Sequence, residues 1–322
     1  MNLTRRTFVQ AIAGASAAAT PFSRLLPLAH RPASAIAPAR FAVITDLHFG
    51  LAPDALPRFD AFLTELPRHR FDVTLQMGDF CYSDAGAAEC LKRWDAVRGR
   101  RMSILGNHDL DKCDKDTAAR AFGMTHRYYA EHVGGYRFVV LDLNNFRKND
   151  VTTAYANGNY AVDGVTSSCA DPEQLAWLRQ ELLAAKTPVI VLSHQPLGFA
   201  DPGQPLPVEQ QEIFDVIAAC GAANPAGRVG ACLSGHWHVD RLEHVAGIPC
   251  LIVNSASYYW FNGMYPYSKP LYSFIDFTAD GMLKVTGAQG EFAKTPPPES
   301  DKVIGRAATI SDRAVGLAAT GR

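Results

Sequence analysis

Five short apolar runs in this chain each end in side chains that can bind a metal ion. Runs of this kind predict buried β-strands. In open α/β sheets, ligand-binding residues collect outside the carboxyl ends of the strands. The polar groups after the runs are Asp46-Leu47-His48, Gly78-Asp79, Gly106-Asn107-His108-Asp109, Ser193-His194 and Gly235-His236-Trp237-His238. The pattern therefore predicts an α/β fold whose strands deliver Asp, Asn and His to one site.

The last motif places His236 and His238 two residues apart behind the apolar run Val229–Leu233. If the strand continued through the motif, alternation would put both imidazoles on the same side of the chain. Two neutral imidazoles on one side form half of a transition-metal site. Such a pair alone is also typical of packed or surface histidines. The prediction of a site therefore depends on the other four motifs.

Taken in order, the five motifs resemble those of the calcineurin-like metallophosphoesterase superfamily. The resemblance implies a four-layer α/β/β/α sandwich, in which two stacked mixed sheets are flanked by helices. It also implies a binuclear metal centre and hydrolysis of a phosphomonoester or phosphodiester by a hydroxide that bridges the two metals. Two divalent ions can neutralise phosphate oxygens and supply hydroxide near neutral pH.

The resemblance assigns a ligand set to each metal, with Asp79 as the bridge. The first ion would be held by Asp46, His48, Asp79 and His238, and the second by Asp79, Asn107, His194 and His236. Mixed oxygen and nitrogen ligands suit Mn, Fe, Zn or Co. His108 would lie over the metals and stabilise phosphate oxygens or protonate the leaving alcohol, with Asp109 orienting it.

Tyr82 leaves one variation of the family pattern open. The run Gly78-Asp79-Phe80-Cys81-Tyr82 also fits purple acid phosphatases, which use a metal-bound tyrosinate. Because His48 would fill that coordination position, we expect Tyr82 to line the site without binding a metal. Phosphoprotein phosphatases carry an Asp-Arg-Gly run after this motif, which is absent here. Their aspartate partner of the catalytic histidine falls at Tyr82, so the motif predicts no such pair.

The substrate stays open at the level of the sequence. The aromatic run Tyr258–Phe261 follows the last metal motif and predicts either rings that stack on a nucleobase or sugar, or a loop packed onto the body. The Asn-His-Asp motif resembles the bacterial cyclic-nucleotide phosphodiesterase group. Monoester, diester and pyrophosphate substrates all fit. A metallophosphoesterase fold that has lost its chemistry and serves as a binding module is the alternative, and the complete ligand set argues against it.

Residues 1–35 have the pattern of an export signal. Thr4-Arg5-Arg6-Thr7-Phe8-Val9 resembles the twin-arginine motif, and Ala33-Ser34-Ala35 is a candidate cleavage site. The Ala-rich run between them is too short and too weakly apolar to span a membrane. We therefore expect a periplasmic or secreted protein that uses the twin-arginine export machinery and has no stable membrane insertion. A basic amphipathic first helix is the alternative.

The remaining chain is predicted to form a metallophosphoesterase domain over residues 36–294, followed by an arm or loose tail over residues 295–322. Beyond the four arginines in residues 1–35, acidic side chains outnumber basic ones by about five. This balance argues against nucleic acid as a partner. The seven cysteines show no CxxC pairing, and an exported protein can form disulfides whose connectivity the spacing does not give. Cys232 and Cys250 lie inside apolar runs, so we expect buried free thiols there, and we expect no cysteine ligand.

Periodicity also predicts local elements. Helices are expected over residues 57–70, 86–97, 114–122 and 207–220, and a surface loop over residues 145–168. Another helix should start at Pro172 with Asp171 as its cap and the Gln174 side chain reaching back to the cap amide. Strands are expected within residues 128–143, turning at Gly134-Gly135, and in a late hairpin that turns at Asp280-Gly281.

Overall fold

The computed structural model describes residues 36–148, 150–161, 168–200, 203–302 and 306–318. All the described residues belong to one compact unit, Ala35–Arg322. The predicted export signal over residues 1–35 lies outside the described residues.

Strands and helices alternate through the first three quarters of the chain. The helices are α1 Ala55–Glu65, α2 Ala88–Asp95, α3 Lys115–Ala121, α4 Pro172–Ala184 and α5 Val208–Ala223. The strands are β1 Ala39–Ile44, β2 Val73–Gln76, β3 Arg100–Ser103, β4 Tyr129–Val133, β5 Tyr136–Leu141, β6 Asn145–Lys148, β7 Val151–Ala154, β8 Val189–Ser193, β9 Val229–Ser234, β10 Arg241–Val245, β11 Ile248–Ile252, β12 Tyr258–Trp260, β13 Met264–Pro266, β14 Ser273–Phe277, β15 Met282–Thr286, β16 Ala288–Gln289, β17 Thr309–Ile310 and β18 Arg313–Gly316.

Two six-stranded mixed sheets form the centre of the protein. The first has the order β18-β15-β14-β1-β2-β3, and the second β10-β11-β9-β8-β5-β4. In the first sheet β1, β2 and β3 are parallel, and in the second β5, β8, β9 and β11 are parallel. The five strands that precede the motifs, β1, β2, β3, β8 and β9, are all among these parallel strands, so their carboxyl ends can meet at one edge.

The two sheets pack face to face, with a helical layer outside each. Phe41 of β1 contacts Phe138 of β5, their ring centroids 4.6 Å apart, and Phe277 of β14 lies 5.1 Å from Phe138. Alternate β1 residues face opposite ways, as an extended strand requires. Phe41 belongs to the core between the sheets, whereas Ile44 packs with residues of α1 and α2. The predicted four-layer α/β/β/α fold is confirmed.

The predicted loop over residues 145–168 is wrong in its first part, because β6 and β7 form an antiparallel hairpin there. A short 3₁₀ turn, Asn159–Ala161, follows, and residues 162–167 lie outside the described residues. The hairpin is largely solvated on both faces. Its strands therefore lack the apolar alternation by which a half-buried strand is predicted.

Helix α4 begins as predicted, but one of its contacts differs. The Asp171 carboxylate accepts a hydrogen bond from the Gln174 backbone N–H at 2.8 Å and caps the helix. The fully buried Gln174 side chain does not reach back to the cap. It bonds instead to the backbone N–H and C=O of Asp142, both at 2.8 Å, just beyond β5. These two groups lie past the last ladder pair of β5, and the amide satisfies both of them.

Within the C-terminal stretch, β18 pairs antiparallel with β15 and forms one edge of the first sheet.

All seven cysteines are buried free thiols. Cys232 and Cys250 lie opposite each other on β9 and β11. None of the helices in the described parts of the chain has the length and apolarity needed to cross a membrane.

Candidate metal centre

The five motifs meet at the carboxyl ends of β1, β2, β3, β8 and β9. The loops after β1 and β2 continue to hydrogen bond beyond the sheet: Asp46 N–H donates to the Gly78 carbonyl at 3.0 Å, and His48 N–H to the Asp79 carbonyl at 2.9 Å. His194 follows β8 directly. The loops after β1 and β2 are therefore held together at the sheet edge, with their motif residues side by side.

The first group of side chains consists of Asp46, His48 and His238. Nε2 of His238 lies 3.2 Å from Oδ1 of Asp46, and the Nε2 atoms of His48 and His238 are 3.0 Å apart. Ligand atoms of all three residues lie within 4.8 Å of one another. All three side chains are buried. Two ring nitrogens and one carboxylate oxygen thus converge on one point.

The second group consists of Asp79, His194 and His236, whose ligand atoms also lie within 4.8 Å of one another. Oδ2 of Asp79 is 3.1 Å from Nε2 of His194 and 3.8 Å from Nε2 of His48. The same carboxylate oxygen therefore faces both groups. Asp79 would therefore be the carboxylate shared by two ions, one in each group.

Asn107, the remaining predicted ligand, lies next to the second group, because the residue that follows it contacts Asp79. The backbone N–H of His108 donates to Oδ1 of Asp79 at 2.8 Å. Oδ1 of Asn107 accepts a hydrogen bond from Nε2 of Gln195 at 3.0 Å. A carbonyl oxygen has two lone pairs, so one remains for a metal.

The loop backbone is strained where it presents ligands. Asp46, His48, Asp79, His236 and His238 all have positive φ angles, between 49° and 69°. Left-handed backbone is rare for residues other than glycine, and it clusters at functional sites. β9 ends at Ser234, so the predicted strand alternation through His236 and His238 is wrong. The sharp backbone turns instead send His238 to the first group and His236 to the second.

Three motif glycines allow the loops to approach this closely. A Cβ at Gly106 would lie 2.1 Å from the Asp79 nitrogen, and a Cβ at Gly235 would lie 2.4 Å from Oγ1 of Thr45. At Gly78, where φ is +98°, a Cβ would lie 2.4 Å from Nδ1 of His194. Any side chain at these positions would push a ligand loop outward.

Hydrogen bonds hold the ligands in one orientation. Thr45 Oγ1 donates to Oδ2 of Asp46 at 2.6 Å, which leaves Oδ1 towards His238. Nδ1 of His194 donates to the Met77 carbonyl at 2.8 Å. This bond fixes the tautomer and turns Nε2 towards Asp79. Such outer contacts orient ligands in metalloproteins.

Burial and the clustered charges set the protonation of the group. Burial lowers the pKa of both His48 and His236 to about 3, so their rings are neutral near pH 7. Burial alone would raise the pKa of Asp46, but His194 and His238 outweigh it and bring the value to about 2. The pocket therefore presents the ionised carboxylate of Asp46 and the neutral imidazoles of His48 and His236, the forms in which both groups bind metals.

The residues fit a pair of metal ions. The Nε2 atoms of His48, His194 and His238 face the carboxylates of Asp46 and Asp79. Nε2 of His194 is buried and makes no hydrogen bond among the described residues, and buried polar atoms are rarely left unpaired unless they bind something. Together with the oxygen and nitrogen ligand set around Asp79, this favours two transition-metal ions.

His108 lies at the edge of the first group, its ring centroid 5.1 Å from that of His48. Nδ1 of His108 contacts Oδ2 of Asp111 at 2.7 Å and the Tyr160 hydroxyl at 3.2 Å. Burial would lower the pKa of His108, but Asp79 and Asp111 outweigh it and raise it to about 9. Neighbouring carboxylates thus favour the protonated, hydrogen-bond-donating form of His108 near pH 7.

Asp109 does not contact the His108 ring, contrary to the expectation that it orients this residue. Its two carboxylate oxygens accept hydrogen bonds from four backbone N–H groups, those of Asp79, Phe80, Cys81 and Gly106, at 2.8–3.1 Å. Asp109 joins the loops after β2 and β3. Asp111 is the carboxylate that orients His108.

The sequence interpretation missed Asp111, Tyr160 and Gln195. Asp111 lies three residues after His108, and one 3₁₀ turn, His108–Leu110, brings the two side chains together. That spacing is a signal which could have been used. Tyr160 comes from the segment after β7, and nothing in its sequence surroundings indicates the contact.

Tyr82 lies beside the site in a packed position. Its ring lies against Gly50, where a Cβ would be 2.6 Å from the ring, and the Lys112 ammonium lies 4.2 Å from its centroid. His48 occupies the ligand group instead.

We predict that Gly106→Ala weakens metal binding about 10- to 100-fold, because the added methyl group displaces Asp79. Calorimetric titration with Mn²⁺ measures the affinity. Gly316→Ala on β18 is the control, since a Cβ there meets nothing within 4 Å. Equal Mn²⁺ affinity in the two variants would contradict the prediction.

Comparison with known proteins identifies the family. The family model described as calcineurin-like phosphoesterase matches residues 39–240. No curated protein matches the chain significantly in sequence. Among solved structures, a dimetal phosphatase from Danio rerio has a TM-score of 0.53 at 12% identity, covering 80% of this chain and 99% of that one. GAP50, described as the anchor in the inner membrane complex of Plasmodium, has a TM-score of 0.55 at 12% identity, covering 87% of this chain and 89% of that one.

The two structures share the fold with this chain at low identity. The family match spans more than half of the sequence and includes every ligand motif. The chain belongs to the calcineurin-like phosphoesterase family.

Proposed function

We propose that the protein is a binuclear metal-dependent phosphoesterase that hydrolyses a small phosphomonoester or phosphodiester. One observation carries the proposal: Oδ2 of Asp79 lies between two groups of imidazole and carboxylate ligands, 3.1 Å from Nε2 of His194 and 3.8 Å from Nε2 of His48. Asp46, His48, Asp79 and His238 would hold the first ion, and Asp79, Asn107, His194 and His236 the second. Mn, Fe, Zn or Co fit this ligand set.

When bound, the two ions would neutralise phosphate oxygens and lower the pKa of water for attack on phosphorus. The chain itself supplies the other requirements. His108 lies beside the first ligand group and presents a ring that Asp111 and Tyr160 hold through Nδ1. With Nδ1 held, Nε2 of His108 is left to donate a proton to the leaving oxygen or a hydrogen bond to a phosphate oxygen.

A binding module without chemistry is the second candidate, and the fold shared with GAP50 is the observation that favours it. An anchor does not require buried carboxylates and imidazole nitrogens that converge on one point. This chain keeps both, together with His108 and its two hydrogen-bond partners. The geometry therefore supports the enzyme better than the module.

We predict that His108→Ala lowers kcat about 100- to 10,000-fold on diphenyl phosphate, because phenolate is a poor leaving group and the donor of its proton is lost. The bound metal, measured by mass spectrometry of the purified protein, should stay unchanged. His244→Ala on β10 is the control, since this histidine is exposed and belongs to none of the ligand groups. A wild type that hydrolyses no monoester, diester or pyrophosphate with any of the four metals would support the binding module.

We predict that Asp111→Asn slows hydrolysis of phenyl phosphoesters about tenfold and of 4-nitrophenyl phosphoesters much less. A poor leaving group needs the proton from His108, whereas nitrophenolate leaves without it. The ratio of kcat for the two esters is the measurement. Asp116→Asn on the exposed side of α3 is the control. An identical loss on both esters would show that Asp111 does not act through His108.

We propose that residues 1–35 direct twin-arginine export to the periplasm or beyond the cell. The support is the Thr4–Val9 motif and the absence of any carboxylate before Asp46. Replacing both Arg5 and Arg6 with Lys should trap the precursor in the cytoplasm, which fractionation and immunoblotting would detect. Lys at Arg24 and Arg31, outside the motif, is the matched control. Normal export of the Arg5 and Arg6 double variant would contradict this proposal.

A further inference from the structure

Tyr258, the first residue of β12, follows a segment that is hydrogen bonded to the loop carrying Asp46 and His48. Oγ of Ser255 donates to the Asp46 carbonyl at 2.9 Å, and Oγ of Ser257 to the Leu47 carbonyl at 2.7 Å. The Ala256 N–H also donates to the Thr45 carbonyl at 2.9 Å. These bonds join the segment after β11 to the loop after β1, so the position of Tyr258 is fixed relative to the ligands.

The Tyr258 ring packs against two of the proposed ligands. Its centroid lies 5.0 Å from that of His48 and 4.6 Å from that of His238. His108 contacts His48 as well, at 5.1 Å. Tyr258 and His108 therefore both border the first ligand group. The residue is only 4% exposed, so it is part of the wall of the site and not of its outer rim.

The phenol hydroxyl is the unexplained atom. It makes no hydrogen bond to any of the residues that the structure describes. Burial raises the pKa of Tyr258, and the carboxylates of Asp79 and Asp46 raise it further. The hydroxyl is not one of the enclosed, unpaired polar atoms among the described residues. It is therefore accessible and free to donate a hydrogen bond to a ligand.

We infer that Tyr258 is a catalytic residue whose hydroxyl donates a hydrogen bond to a non-bridging oxygen of the substrate phosphoryl group. The inference rests on the proposed function. The phenol keeps its proton throughout, and no bond to it forms or breaks. A donor fixed beside the metal ligands acts on the negative charge that develops on the phosphoryl oxygens in the transition state. Because a charged acceptor strengthens a hydrogen bond, the contact also favours a bound oxyanion.

Tyr258→Phe keeps the ring against both histidines and removes only the hydroxyl. We expect kcat to fall about 10- to 100-fold, with a change in KM below about threefold and with unchanged metal content. Tyr259→Phe is the matched control: this neighbouring tyrosine is fully buried and donates to the Ser300 carbonyl at 3.3 Å. Removal of the Tyr259 hydroxyl should leave kcat unchanged. A purely structural role of Tyr258 would lower stability or metal content and spare kcat of the loaded protein.

Orthovanadate binding to the Mn²⁺-loaded protein tests the donor without turnover. Calorimetry should show about tenfold weaker binding to Tyr258→Phe than to wild type, and equal binding to Tyr259→Phe. If wild type hydrolyses no ester but vanadate affinity still depends on Tyr258, the proposed function fails and the donor role stands. If Tyr258→Phe matches wild type in both vanadate affinity and kcat, the inference is wrong whatever the substrate.

Discussion

The arrangement of the site depends on one buried carboxylate, that of Asp109. Four backbone N–H groups from the loops after β2 and β3 donate to its two oxygens. Burial and Asp79 raise the pKa of Asp109 to about 7, while the amides of Gly106 and Cys81 oppose this rise. Backbone donors thus stabilise a charge that burial next to Asp79 would otherwise disfavour. The same bonds bring Asp79, the proposed bridging ligand, close to Gly106 and the turn that carries His108.

Close approach of several loops explains why the ligand backbone is strained. Five of the proposed ligands have positive φ angles, and each such residue costs on the order of 1–3 kcal/mol. The hydrogen bonds between the Asp46 and Asp79 loops, and the Ser255 and Ser257 bonds to the first of them, hold these conformations in place. Stability from the two packed sheets below offsets the strain at their edge.

The sequence predicts those parts of the site that depend on a short local pattern, an apolar run followed by Asp, Asn or His. Strands ending in Asp, Asn or His could be recognised because each motif follows an apolar run. Contacts that depend on distant segments could not be predicted. Tyr160 contacts His108 from the segment after the solvated β6–β7 hairpin. The Gln174 side chain bonds to the backbone at the end of β5 and not to its own helix cap. The sequence of the aromatic run fits both rings at the rim of the site and a loop packed onto the body. In the structure its first residue, Tyr258, is buried in the wall of the site.

Electrostatics distinguishes a metal centre from a relic of one. Asp46 and Asp79 are buried, and His48 and His236 are neutral near pH 7 because burial lowers their pKa to about 3. The positive charge that opposes the two carboxylates includes His194, whose pKa burial would lower but Asp79 and Asp46 raise to about 9. A divalent ion that displaces this proton would supply more charge to the same oxygens and would also bind the unpaired lone pairs of the rings. A fold kept only as an anchor gains nothing from burying such charges, since apolar side chains of similar volume would pack there at lower cost. The retained cluster is therefore best explained by the cations that it would bind.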